Sequence, residues 1–173
     1  MAEIRIGVMN YLPTYALDYT MSVSLVPKNH EGEPIGYNEE KVYSIGVGKN
    51  EYRFWIPVKN YKLWEPDEPY LYAAIVQLKK DGRVISESMG TFGMKKFISD
   101  ENSSPKGKFY FNNRPIVLRG ANEMGHLQQC VMKGDFDQLI DDILIAKICN
   151  INYYRITQRP VQEEIYDYMD MLG

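Results

Sequence analysis

A switch of hydrophobic period partway along the chain constrains its fold more than any other feature. Through roughly the first hundred residues, apolar side chains recur at every second position in short runs rich in Val, Ile and Tyr. Gly, Pro, Asn and Asp punctuate these runs, and no helical period is present. Ile4, Ile6 and Val8 share one face of one run, and Tyr19, Met21, Val23 and Leu25 share one face of the next. Further runs at 41–47, 51–58, 70–79 and 83–92 make six or seven short strands, the spacing of a β-sandwich. Asp81-Gly82 supplies the two positive-φ residues of a type I′ turn, so the strands on either side are expected to pair. Pro66 and Pro69 fix φ and remove donors, which predicts an extended crossing over 63–69 with Trp64 folded back onto the sandwich as a cap.

The character then changes. Residues 101–107, with Asn102, Ser103, Ser104, Pro105 and Gly107, form the best linker candidate, separating a sandwich at 1–100 from a second region at 108–173. Runs at 109–111 and 115–118 flank Asn112-Asn113, a second hairpin turn. Helical period begins after Gly134: Asp135 is placed as N-cap, and Phe136, Leu139, Ile140, Ile143, Leu144 and Ile148 line one face of a helix ending near Asn150. A strand at 151–156 follows, then Pro160 at a helix N1 position and a second stripe of Val161, Ile165, Tyr168, Met169 and Leu172. The order β-α-β-α with so long a connection implies a right-handed parallel crossover, the unit of an α/β sheet or barrel. A complete barrel takes about 250 residues, and two units leave an open edge and a bare face. The chain is therefore expected to be part of something larger, or to cover that face by self-association.

Charge and composition exclude several classes. Twenty Lys+Arg against 23 Asp+Glu give a net charge of −3, and no block of like charge offers a footprint for a phosphate backbone or anionic lipid. Neither nucleic acid nor a membrane is an expected partner. No apolar run is long enough to span a bilayer, the first residues are not those of an export signal, and the composition is that of a soluble globular chain whose compartment stays open. Two cysteines make no disulfide scaffold, and Cys149, ending an apolar helical pattern, is read as a small buried hydrophobe. With only His30 and His126, and no Cys-x-x-Cys or His-Glu-x-x-His spacing, a zinc site would need distant ligands to converge; no metal and no cofactor are expected. The 14 Tyr and 2 Trp suit strands and sugar-facing surfaces alike.

Several blocks, in order, resemble glycoside hydrolase family 2, the family of β-galactosidases, β-glucuronidases and β-mannosidases. They are Leu63-Trp64-Glu65-Pro66-Asp67-Glu68-Pro69-Tyr70, Gly90-Thr91-Phe92-Gly93, Asn112-Asn113-Arg114-Pro115 with Leu118-Arg119-Gly120-Ala121-Asn122, and Asn152-Tyr153-Tyr154-Arg155, followed by Tyr166-Asp167. The resemblance implies a parent enzyme with a jelly-roll domain, an immunoglobulin-like β-sandwich and a (β/α)8 TIM barrel that hydrolyses terminal β-glycosides with retention. This chain would be mainly β: the sandwich followed by a βαβα fragment of the barrel. Retaining hydrolysis needs two carboxyl groups about 5 Å apart. In the family they lie on later barrel strands, so no catalytic residue is expected here. Asp141-Asp142 and Glu163-Glu164 lie on helices and are read as solvated faces.

What the resemblance does carry over is Arg119 and Asn122 in an Arg-Gly-x-Asn turn at the barrel mouth, and Arg155, matching an arginine that holds the nucleophilic carboxylate ionised. For Arg119 the alternative is a structural ion pair inside the barrel. Met124 and Gln158 stand where many β-galactosidases have histidines, which puts galactose specificity in doubt; Gln158 remains a substrate-binding candidate. Glu123 and His126, in the same loop, are read as loop-stabilising or solvent-facing. The expected partner of the parent is a terminal β-glycoside. A reading from another class is a free-standing immunoglobulin-like carbohydrate-binding or adhesion module, which would have no use for Arg119 and Arg155 at strand ends.

Overall fold

A computed structural model describes residues 1–102, 104–157 and 161–173. The chain divides into two compact units, Met1–Lys62 with Leu71–Phe92, and Leu63–Tyr70 with Gly93–Gly173.

The first unit is built from β1 (Ala2–Asn10), β2 (Ala16–Pro27), β3 (Gly36–Ile45), β4 (Gly48–Ile56), β5 (Leu71–Lys80) and β6 (Arg83–Gly93). β1 pairs with β4 antiparallel, and β3-β2-β5-β6 form a four-stranded sheet. On β2, Met21, Val23 and Leu25 are fully buried as expected, but Ser22 between them is buried as well, so this central strand is covered on both faces where a half-buried one was expected. Met21, Val23 and Leu25 share the core with Phe54 and Ile56 of β4 and with Leu71 and Tyr72 of β5. The two sheets approach closely at Gly36, where a Cβ would come within 2.7 Å of Ile56 Cγ2 and 3.3 Å of Leu25 Cδ1. Asp81 and Gly82 adopt φ of 49° and 76°, the turn expected between the adjacent β5 and β6. β6 departs from expectation, because residues 83–91 are exposed on both faces. It is an edge strand, and Val84, Ile85 and Met89 lie open to solvent.

Beside the core, the hydroxyl of Tyr72 accepts from Lys62 N at 2.7 Å, and its ring meets His30 edge-on at 5.0 Å. Burial, with the Lys62 ammonium adding, holds the His30 imidazole below the ordinary histidine value. The unfolded chain then binds the proton more readily, so this group's stabilising contribution is present above the unfolded-state value and is lost as pH falls through the folded-state one. An NMR titration should give a His30 midpoint below that of the same residue in denaturant; an equal or higher midpoint would show the imidazole to be solvated.

The second unit holds a three-stranded sheet of β7 (Phe97–Asp100), β8 (Lys108–Phe111) and β9 (Arg114–Ile116), a parallel pair of β10 (Gly120–Glu123) and β11 (Tyr153–Ile156), and helices α1 (His126–Lys133), α2 (Phe136–Ile148) and α3 (Glu163–Leu172). Of the residues 101–107 expected as a linker, the described ones, 101–102 and 104–107, fall by contact within this unit between the paired strands β7 and β8, with Gly107 N donating to Asp100 O. The boundary by contact therefore differs from the expected one at 100. Asn112 and Asn113, at φ 47° and 64°, make the expected hairpin turn.

Trp64 corrects another expectation. Expected as a cap on the sandwich, it belongs by contact to the second unit, where it is buried, donates its indole N–H to Asp170 O at 2.7 Å, and meets Phe111 edge-on at 5.8 Å. α1 was not foreseen. Its eight residues carry only Leu127, Cys130 and Val131 at helical spacing, too short a stripe to stand out from a loop. Gly134, at φ 71°, closes α1, and the Asp135 carboxylate accepts from Gln138 N to open α2, the cap read from sequence. Leu127, Cys130, Leu139, Ile143 and Ile165 form the helical core. Cys149, expected to be buried, is exposed at the α2 C-cap, and the buried cysteine is Cys130.

Candidate functional site

The parallel strands β10 and β11 set Asn122 directly beside Arg155. Alternation places both on one exposed face with Gly120 and Tyr153, while Ala121, Glu123, Tyr154 and Ile156 take the more buried face. Arg155 Nη1 lies 3.4 Å from Asn122 Oδ1, a long contact that, among the described residues, leaves most of the guanidinium's donors uncommitted. Gly120 permits this close pairing: a Cβ there would sit 2.5 Å from Tyr153 Cδ1 and 2.9 Å from its carbonyl oxygen.

On the other face, Glu123 is buried at 5% exposure, so the solvent-facing alternative is set aside and the loop-stabilising one is seen in detail. The N-cap residue of α1, Gly125, has no capping side chain. Glu123 Oε1 takes its place, accepting from Gly125 N at 2.8 Å and Leu127 N at 3.1 Å, which puts a negative charge at the positive end of the helix. Its Oε2 is buried without a hydrogen-bond partner among the described residues. The signal available in sequence was a carboxylate two residues before a glycine that opens a helix. Glu123→Ala should lower the unfolding free energy by about 1–3 kcal/mol, because two helix N–H groups lose a charged acceptor. Urea titration of both proteins measures this, and equal midpoints with equal slopes would show that water caps α1 as well.

The remaining expected residues scatter. The first barrel strand was expected over 115–118, with Arg119 following it; β10 instead begins at Gly120, which places Arg119 at the opposite end from Asn122 and Arg155. There Arg119 Nε donates to Asn150 O and its Nη2 to Asn150 Oδ1, both at 2.8 Å, tying the turn before β11. Asn150 is a residue at positive φ that the sequence did not flag. Gln158 lies outside the described residues. Met124 is exposed.

His126 Nε2 meets Asp142 Oδ2 at 2.8 Å, and Gln138 donates to the other oxygen of that carboxylate at 2.9 Å. Asp142 is thus a paired, half-buried group where a solvated one was expected. Burial pushes the Tyr154 phenol up, with Asp142, Glu123 and Cys149 adding, and pushes the Cys130 thiol up, with Asp142 and Asp135 adding. A thiol held protonated is a poor nucleophile, so Cys–His catalysis has no support here.

Residues 8–95 match the sequence profile of Glycosyl hydrolases family 2, and residues 104–173 match that of the Glycosyl hydrolases family 2 TIM barrel domain. The chain belongs to glycosyl hydrolase family 2, with an immunoglobulin-like sandwich followed by the start of the barrel. It is 28% identical over 148 residues to a β-galactosidase of Kluyveromyces lactis, an alignment covering 84% of this chain and 14% of that protein. Its fold matches a family 2 member from Bacteroides cellulosilyticus with a TM-score of 0.82 at 21% identity, over 99% of this chain and 23% of the other. A Bacteroides uniformis β-glucuronidase gives 0.73 at 19% identity, over 99% and 20%. The chain spans 14% of the length of the curated relatives it matches. Among the described residues, no helix is long and apolar enough to cross a membrane.

Proposed function

We propose that this chain serves a retaining, exo-acting β-glycosidase by supplying the sandwich and the first two β/α units of its barrel, and that these 173 residues alone hydrolyse no glycoside. The observation that carries the reading is the adjacency of Asn122 and Arg155 on the exposed face near the carboxyl ends of two parallel strands, where barrels of this kind bind their substrates. An arginine with free donors there suits a carboxylate nucleophile: charge-assisted bonds keep it ionised, and the neighbouring amide can reach a sugar hydroxyl.

The chemistry needs a second kind of group that these strands lack. One carboxyl must be protonated to assist the leaving oxygen and one ionised to attack the anomeric carbon, about 5 Å apart. Glu123 is the sole carboxylate of β10 and β11, and it is turned to the α1 N-terminus. The relatives named as a β-galactosidase and a β-glucuronidase support a terminal β-glycoside as substrate class.

Purified chain incubated with aryl β-galactoside and β-glucuronide should release no phenol above buffer. Turnover that a carboxylate substitution within the chain abolishes would overturn the reading. Sequencing the gene past codon 173 tests the positive half: further β/α units with glutamates at strand ends are expected, and Arg155→Ala in the encoded polypeptide should lower kcat by on the order of 100-fold.

A further inference from the structure

We propose that His126, Cys130 and Asp142 form a binding site for one divalent transition-metal ion of zinc's class, clamping α1 to α2. One ligand atom from each residue, imidazole nitrogen, thiol sulfur and carboxylate oxygen, lies within 4.8 Å of the other two. His126 and Cys130 stand four residues apart on α1, so one helical face presents both, and Asp142 faces them from α2. Metal bonds of about 2.0–2.3 Å at tetrahedral angles separate ligand atoms by roughly 3.3–3.7 Å. Small adjustments reach that range: His126 Nε2 and Asp142 Oδ2, at 2.8 Å, need to part slightly, and the Cys130 sulfur already lies within 4.8 Å of a ligand atom of each.

The groups differ in freedom in the way such a site requires. Cys130 is held in the helical core, so its sulfur is the fixed ligand. The His126 side chain is 68% exposed and can swing, while Gln138 Nε2 holds Asp142 Oδ1 at 2.9 Å and leaves Oδ2 turned to the imidazole. Such outer hydrogen bonds orient a ligating carboxylate in built metal sites.

A mixed nitrogen, sulfur and oxygen set favours zinc or cobalt over the all-oxygen preference of magnesium and calcium. Binding forms three metal–ligand bonds, breaks the His126–Asp142 hydrogen bond, moves the proton that bond holds to His126 Nδ1 so that Nε2 offers its lone pair, and releases the Cys130 thiol proton to solvent. Three protein ligands leave the fourth position to water on the open side of His126. The site lies on the helices and does not depend on the glycosidase reading.

The test is titration of the reduced, chelator-stripped 173-residue chain with cobalt(II), then zinc(II). One cobalt per chain should bind with a thiolate-to-metal charge-transfer band in the near ultraviolet and the visible absorption of four-coordinate cobalt, and zinc should bleach both. Cys130→Ser should remove the charge-transfer band, and Cys149→Ser should keep it. Because Cys130 packs in the core, His126→Ala, at an exposed position, is the second variant; it should bind zinc about tenfold or more weakly with unchanged circular dichroism. Gln138→Ala should weaken binding roughly 10- to 100-fold. No band in the parent chain, a band that Cys149→Ser abolishes, or zinc affinity untouched by His126→Ala would each overturn the proposal.

Discussion

Trp64→Ala is expected to lower the unfolding free energy of the helical unit by about 3–5 kcal/mol, the range for removing a buried aromatic from a packed site. The indole is 8% exposed, and its contacts are of three kinds. Its N–H donates to Asp170 O at 2.7 Å near the end of α3, its face receives Lys95 Nζ at 4.4 Å, and its edge meets Phe111. Lys95 in turn pairs with Asp170 Oδ1 at 2.7 Å, so one ring organises the end of α3 and the strand-side lysine together. Trp64→Phe separates packing from hydrogen bonding. It keeps much of the apolar contact, leaves Asp170 O without its donor, and should cost about 1–2 kcal/mol.

Far-ultraviolet circular dichroism reads this unit selectively, because α1, α2 and α3 all belong to it. Urea titration by that signal should show the helical transition moving to lower denaturant. A change below about 1 kcal/mol for Trp64→Ala would show the ring to be a surface cover.

Asn112→Ala should cost about 2–4 kcal/mol, through two separable causes. Its Nδ2 donates to Trp64 O and Glu65 Oε1, both at 2.9 Å, and its Oδ1 accepts from Lys96 N at 2.9 Å, all around a buried turn. Alanine leaves Trp64 O and Lys96 N unpaired and must also hold φ at 47°, a region that asparagine tolerates better. Asn112→Gly relieves the backbone cost alone, so it should be more stable than Asn112→Ala by about 1 kcal/mol, though still weaker than the parent. If glycine and alanine were equal, the backbone contribution would be absent. Trp64 and Asn112 share the 64–65 segment, and the double variant should lose less than the sum of the singles.

Those two residues also mark how far the sequence could be read. Asn112-Asn113 announced a turn, because few side chains accept positive φ at consecutive positions. That the Asn112 amide would be buried against residues 64–65 was not legible, since it depends on a contact across 48 positions of chain. Trp64 was legible as an anchor but not for which unit, because two prolines fix an extended path without saying where it lies. The buried positions Met21, Val23 and Leu25 of β2 and the Asp135 cap of α2 were written locally and appear as read, though the burial of Ser22 on the other face of β2 was not. α1 was missed because eight residues give a helical stripe little length to declare itself.

The same division holds at the candidate site. Arg155 and Asn122 were singled out by family resemblance, and their adjacency follows from a strand register that only the folded pair fixes. Arg119 was expected beside them. A strand start displaced toward the carboxyl end moved it to the other end of the pair and gave its guanidinium to Asn150. The His126, Cys130 and Asp142 cluster was not legible, because α1, which sets the first two on one face, was missed, and Asp142 reaches them from α2.

By itself the sequence determined the period of each segment, the turns, one helix cap and the order of sandwich before barrel units, because these rest on neighbours within a few residues. Tertiary structure decided which unit holds Trp64, which cysteine is buried and where Arg119 is spent. Each of these turns on where a distant segment comes to rest, and packing free energy, summed over the whole core, sets that position where no local propensity can.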